Sequence, residues 1–136
     1  MKTEARKIVD AMYEAFHTKD LQAVAATFSE DAICIYHGTQ KMPSAQFKGL
    51  EGVKMFFEFN FNQFEVVYFD TESFIEENSQ VVVLGKEHFI STNDQKDYYQ
   101  KWVQVYTVKN GKITRMEEFA TSALPEEYGG NASVVQ

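Results

Sequence analysis

The run Trp102-Val103-Gln104-Val105-Tyr106-Thr107-Val108-Lys109-Asn110-Gly111-Lys112-Ile113-Thr114-Arg115-Met116-Glu117-Glu118-Phe119 decides the fold. At its centre, Asn110-Gly111 offers two consecutive residues that take positive φ at little cost, which a two-residue hairpin turn requires. β-branched and aromatic residues flank the turn, so residues 102–108 and 113–119 read as two antiparallel strands. The first of these extends back to Tyr98, where Ser91-Thr92-Asn93-Asp94-Gln95 loops from a preceding strand over residues 81–90. Another strand candidate, residues 66–75, is set off by Glu76-Glu77-Asn78-Ser79. Strands joined in series by short polar turns predict an antiparallel meander.

Upstream the period changes. Ala5, Ile8, Ala11, Met12, Ala15 and Phe16 recur at three- and four-residue steps, one face of an amphipathic helix with Thr3 as its N-cap. Asp20 can cap a second, short helix carrying Leu21, Val24, Ala25 and Phe28, after a tight turn at Lys19-Asp20. Ala32-Ile33-Cys34-Ile35-Tyr36 reads as a short strand, followed by a polar loop over residues 37–44. A third helix starts near Gly49 with Leu50, Val53, Phe56 and Phe57 on its apolar face. Helices first and strands afterwards are the α+β pattern, here a curved antiparallel sheet wrapped by three N-terminal helices around an apolar pocket.

The chain of 136 residues shows no repeat and no linker, which suggests one domain over residues 1–124 and a weakly structured tail over 125–136. With 44% apolar and 15% aromatic residues it has ample area to offset the entropy of ordering. Its net charge of −7 argues against nucleic acid as a partner, because phosphate contacts need a basic patch. Cys34 is the only cysteine, so no intrachain disulfide can form and a reducing compartment is expected. The first residues lack the apolar core of a secretory signal, and no stretch approaches the length of a membrane span. The expectation is a cytoplasmic protein without a membrane partner. His17, His37 and His88 form no ligand-spaced pair, and there is no Gly-rich phosphate loop or serine elbow, so neither metal nor cofactor is expected.

The order of elements resembles the nuclear transport factor 2-like fold, and within it the SnoaL-like and ketosteroid-isomerase-related proteins. The resemblance rests on Lys19-Asp20-Leu21, then Thr27-Phe28-Ser29-Glu30-Asp31-Ala32, then Phe47-Lys48-Gly49 with Gly52-Val53 and Phe56-Phe57. The strand from Trp102 and the Asn110-Gly111-Lys112-Ile113 turn complete it. This fold hosts isomerases, cyclases, dehydratases, hydrolases and non-enzymes, so the likeness bears on fold rather than activity. Steroid isomerases of the fold carry a carboxylate base on the first strand, where this chain has Tyr36. Their helix-borne tyrosine aligns with Met12, Tyr13 standing one position away, and their protonated acid aligns with Gln104. The aspartate of polyketide cyclases also falls on Gln104. The resemblance therefore implies neither of those two mechanisms.

Strand alternation supplies a site from the residues themselves. If Gln104 faces the pocket, so do Trp102 and Tyr106, with Thr114, Met116, Glu118 and Ala120 on the last strand. Val82, Leu84, Lys86 and His88 are expected inward on the middle strand, and Cys34 with Tyr36 on the first. Trp102 and Met116 then form pocket wall. Glu118 and His88 are the candidate general acid or base, and Gln104 and Tyr36 orient a ligand or stabilise an enolate. Each has a plainer alternative: Glu118 as a rim partner of Lys86, His88 as an ordinary hairpin histidine, Gln104 as a satisfier of buried backbone, Tyr36 as packing beneath the third helix. Cys34 reads as core. The expected ligand is a small hydrophobic molecule, undergoing cofactor-free isomerisation, cyclisation or dehydration; a carrier, a sensor and an interaction module remain alternatives. Val81, Val83, Val103 and Val105 would be left on the outer face, an apolar patch that predicts a homodimer.

Overall fold

A computed structural model of the chain describes residues 1–130. Three helices, α1 (Glu4–His17), α2 (Leu21–Ala26) and α3 (Gly49–Gln63), pack against a six-stranded sheet. The strands are β1 (Phe28–Tyr36), β2 (Ala45–Lys48), β3 (Phe64–Glu77), β4 (Gln80–Ser91), β5 (Asp97–Lys109) and β6 (Lys112–Thr121). Their order across the sheet is β2-β1-β6-β5-β4-β3.

Local chemistry accounts for the element ends. Thr3 Oγ accepts from the Arg6 N–H at 3.0 Å and caps α1, and Asp20 caps α2 through the Ala23 N–H at 3.0 Å. Lys19 takes φ 56°, which makes the tight turn between the two helices. Asn110 (φ 52°) and Gly111 (φ 75°) form the expected hairpin turn between β5 and β6.

Several boundaries differ from the sequence expectation. β1 is longer, starting at Phe28, and it runs parallel to β6, with Ile33 opposite Arg115 and Tyr36 opposite Glu118, so the sheet is mixed. β2, which pairs antiparallel with β1, has no counterpart in the pattern of alternation. On α1 the buried face is Ala5, Val9, Met12, Tyr13 and Ala15, while Ala11 is exposed. The helix has turned by about one residue and brought Tyr13 inward. Of the expected tail, residues 125–130 are described and hold a short turn at Pro125–Glu127; residues 131–136 lie outside the described part.

The core lies between the helices and the concave face of the sheet, with Val9, Val24, Val53, Val81, Val83 and Ile113 wholly buried. Burying each such side chain contributes roughly 1.5–3 kcal/mol. α1 is tied to the far strand at its first turn. The Thr3 N–H and Oγ both donate to Glu76 Oε1 at 2.9 Å, and the Arg6 guanidinium lies 3.6 Å over the Phe74 ring and reaches Glu76 Oε2 at 3.3 Å.

Candidate functional site

The helices do not fill the concavity. A cavity of about 660 Å³ remains, bounded by α1, α3, β2 and the inner face of the sheet. Its walls are largely aromatic, with Phe16 from α1, Phe47 from β2, Phe56, Phe57 and Phe61 from α3, Phe64 and Phe69 from β3, and Phe89 from β4. The rings brace one another: Phe16 sits 4.9 Å from Phe69, and Phe47 lies 5.3 Å from Phe56. Exposed residues including Lys19, Met55, Phe59, Glu65 and Val66 ring its mouth.

The floor is polar and ordered. Gln104 Nε2 donates to Glu118 Oε1 at 2.7 Å, and Gln104 Oε1 accepts from Tyr13 OH at 2.5 Å and Tyr106 OH at 2.7 Å. Two hydroxyl donors on the carbonyl side fix the amide so that its nitrogen faces the carboxyl. The same device recurs beside it. Tyr36 OH donates to Gln100 Oε1, and Gln100 Nε2 donates to Glu87 Oε2 at 3.1 Å. Register explains the repetition: Glu118 lies opposite Gln104, Glu87 lies opposite Gln100, and the two glutamines are four residues apart on one face of β5.

Burial dominates the electrostatics. Glu118 and Gln104 are each only 6% exposed. Desolvation pushes the Glu118 carboxyl up from 4.5 to about 7, against the opposing pull of the Gln104 amide. Glu87 is also held well above its ordinary value, first by burial and then by the charge of Glu118, with the Gln100 amide opposing. Like charges sharing one low-dielectric floor resist double ionisation, so near neutrality the two groups together retain a proton. One can then accept a proton while the other can give one. Burial raises the hydroxyls of Tyr13, Tyr36 and Tyr106 above the usual phenol range, and it lifts the Cys34 thiol to about 12, far from thiolate reactivity.

Of the residues singled out from the sequence, Glu118, Gln104, Tyr36 and Met116 line this cavity together. Trp102 does not line it. The indole is 2% exposed, stacks on Phe69 at 4.9 Å, and packs across Gly85, leaving its Nε1 without a partner. His88 is on the other face of the sheet, where Nε2 meets Asp97 Oδ1 at 2.7 Å and the ring stacks on Tyr99 at 4.1 Å. The inward residues of β4 are Val81, Val83, Glu87 and Phe89, while Val82, Leu84 and Lys86 share the side of His88. The expected parity of β4 is thus reversed, because a run apolar on both faces carries no phase information. Glu87 is the group that expectation missed. Gln100 was within reach, since it sits on the Gln104 face of β5, and Tyr13 follows Val9 on the buried stripe of α1. Lys86 meets Glu72 at 3.7 Å rather than Glu118. Among the described residues no group of three His, Cys, Asp or Glu is placed to hold a metal ion, and no helix is long and apolar enough to cross a membrane.

Comparison with known proteins agrees with this architecture. The SnoaL-like domain model matches residues 9–116. A nuclear transport factor 2-like protein from Burkholderia xenovorans superposes with a TM-score of 0.77 at 21% identity, covering 86% of this chain and 88% of its own. A protein of the same fold and unknown function from Burkholderia pseudomallei gives a TM-score of 0.71 at 23% identity, covering 87% and 91%. TerC, crystallised with polyporic acid, gives 0.69 at 20% identity, covering 86% and 91%. At these identities the likeness speaks for the fold. No curated protein matches the sequence. The family match spans most of the chain and the architecture is the one it requires: this protein belongs to the SnoaL-like domain family, with the nuclear transport factor 2-like fold.

Proposed function

We propose that the cavity binds a small, mainly hydrophobic metabolite and that Glu118 moves a proton on it without a cofactor, as an isomerisation, cyclisation or dehydration requires. The observation carrying this reading is a carboxyl group only 6% exposed, at the floor of an aromatic cavity and raised to about 7. At neutral pH such a group populates both protonation states, the condition for an effective general base. Glu87 serves as the second proton-holding group.

The test is deuterium exchange. A panel of cyclic ketones incubated in D2O is read by mass spectrometry for enzyme-dependent exchange next to the carbonyl. The wild type should exchange at least one member, and Glu118→Gln should slow that exchange by about tenfold or more. Undiminished exchange in the variant would remove Glu118 from the chemistry. A second reading, a non-catalytic carrier, draws on a specific feature: the hydroxyls of Tyr13, Tyr36 and Tyr106 are directed to glutamine carbonyls rather than toward a developing oxyanion. Binding of panel members without exchange of any would favour the carrier.

We further infer a single domain over residues 1–124, a cytoplasmic setting consistent with the free, buried Cys34, and a homodimer formed through the outer sheet face. That face carries Val82, Val103 and Val105, with Leu84 at 38% and Phe119 at 46% exposure; Val81 and Val83, expected there, point into the core. Sedimentation at micromolar concentration should give the mass of two chains, and Leu84→Glu with Phe119→Glu should give one.

A further inference from the structure

The floor of the cavity is unbalanced in hydrogen-bonding capacity. Tyr13 and Tyr106 spend their hydroxyl donors on Gln104, and Tyr36 spends its own on Gln100. Each glutamine commits an amide proton to a carboxyl, through Oε1 of Glu118 and Oε2 of Glu87. Among the described residues the remaining carboxyl oxygens, Glu118 Oε2 and Glu87 Oε1, receive no hydrogen bond, and no lysine, arginine or histidine forms an ion pair with either group. The basic residues that line the cavity, His17 and Lys19, are exposed. A buried carboxylate without a counter-charge is expensive, and what the floor lacks is positive charge.

The walls point the same way. Phe16, Phe47, Phe56, Phe57 and Phe69 surround the volume above the carboxyls, and a ring face attracts a cation electrostatically while tolerating its methyl groups. The net charge of −7 also favours the approach of a cation over an anion.

We propose that the ligand of this cavity is an organic cation: a small, largely apolar molecule whose polar end is a protonated or quaternary nitrogen, seated against Glu118 and Glu87 and flanked by aromatic faces. The proposal rests on the reading of the cavity as a small-molecule site, and it names the class of molecule that the floor selects. It does not depend on catalysis, since a carrier would show the same preference.

The test uses two probes of one shape, 4-(hydroxymethyl)-N,N,N-trimethylanilinium and 4-tert-butylbenzyl alcohol, neither of which titrates between pH 5 and 9 and which differ by a positively charged nitrogen in place of a carbon. Calorimetric titration of the wild type at pH 8 should show the ammonium binding about tenfold tighter or more. Glu87→Gln/Glu118→Gln should abolish that preference while still binding 4-tert-butylbenzyl alcohol. Equal or tighter wild-type binding of 4-tert-butylbenzyl alcohol would overturn the cation proposal and leave the small-molecule reading standing, whereas no binding of either probe would remove both. A preference that persists in the double variant would also overturn it, because the carboxyls would not be its source.

Should the double variant not fold, judged by circular dichroism, the wild type alone decides. The ammonium probe keeps its net charge at every pH used, so its advantage over the neutral alcohol should grow at least about fivefold from pH 5.5 to 8 as the floor ionises. The titratable groups around Glu118 are Tyr13 of α1, Cys34 and Tyr36 of β1, Glu87 of β4 and Tyr106 of β5, with His17, Lys19 and Glu65 farther out on the lining. A flat ratio across that range would contradict the proposal.

Discussion

Replacing Glu118 by glutamine should make the protein more stable at alkaline pH and remove the share of its pH dependence that this carboxyl carries. In the folded protein the carboxyl is raised from 4.5 to about 7 by burial, so folding favours the protonated form. Below pH 4.5 both the folded and unfolded chains hold the proton, and the contribution of this group is fully present. As pH rises the unfolded chain ionises first, and the contribution is lost progressively through pH 7. Each tenfold difference in proton affinity between the folded and unfolded chains is worth about 1.4 kcal/mol, so the loss between pH 5 and pH 8 amounts to roughly 2–3 kcal/mol. Glutamine stays neutral, and its carbonyl oxygen can still accept from Gln104 Nε2. Urea denaturation of both proteins at pH 5 and pH 8 measures the difference directly. The Glu87 carboxyl should move down only part of the way in the variant, since the Glu118 charge is lost but burial, the larger cause of its elevation, remains. Parallel pH profiles for the two proteins would show that Glu118 is not desolvated.

The second large effect is mechanical. A Cβ placed on Gly85 would stand 2.2 Å from Trp102 Cζ2, 2.4 Å from Cη2 and 2.4 Å from the Asp70 carbonyl oxygen. Both neighbours are held in place. The indole is 2% exposed and stacked on Phe69, and the carbonyl belongs to the backbone of β3, beside the irregularity between Thr71 and Ser73. Gly85→Ala should therefore cost about 3 kcal/mol of stability, at the upper end for overpacking, read as a lowered denaturation midpoint with unchanged slope. A loss below about 1 kcal/mol would mean that the indole can swing aside. Since the stacked pair Trp102–Phe69 also supports one cavity wall, ligand affinity should weaken with the fold.

Much of this architecture is legible in the residues. Asn110-Gly111 marks its hairpin because few other dipeptides accept two positive φ values, and β5 shows its phase because Trp102, Gln104 and Tyr106 alternate with smaller residues. Gln104, Glu118, Tyr36 and Met116 follow from that phase and do converge. Where both faces of an element are apolar, the phase is silent. Val81-Val82-Val83-Leu84 fits either orientation, and the wrong choice brings in His88 in place of Glu87. On α1, Ala11 and Tyr13 compete for the buried stripe, and only the tertiary partner Gln104 decides between them. The β1–β6 pairing is likewise beyond local pattern. It is parallel and long-range, and nothing within β1 announces its partner.

That pairing also orders the birth of the fold. Ile33 must wait for Arg115, about eighty residues later, before the β1–β6 ladder can form. As the chain leaves the ribosome, α1 emerges well ahead of β4 and β5, the strands it packs against, so its apolar face stays open to solvent or to chaperones until they follow. Closure of so many remote contacts in one late step should make refolding slow beside that of a helical bundle of equal length.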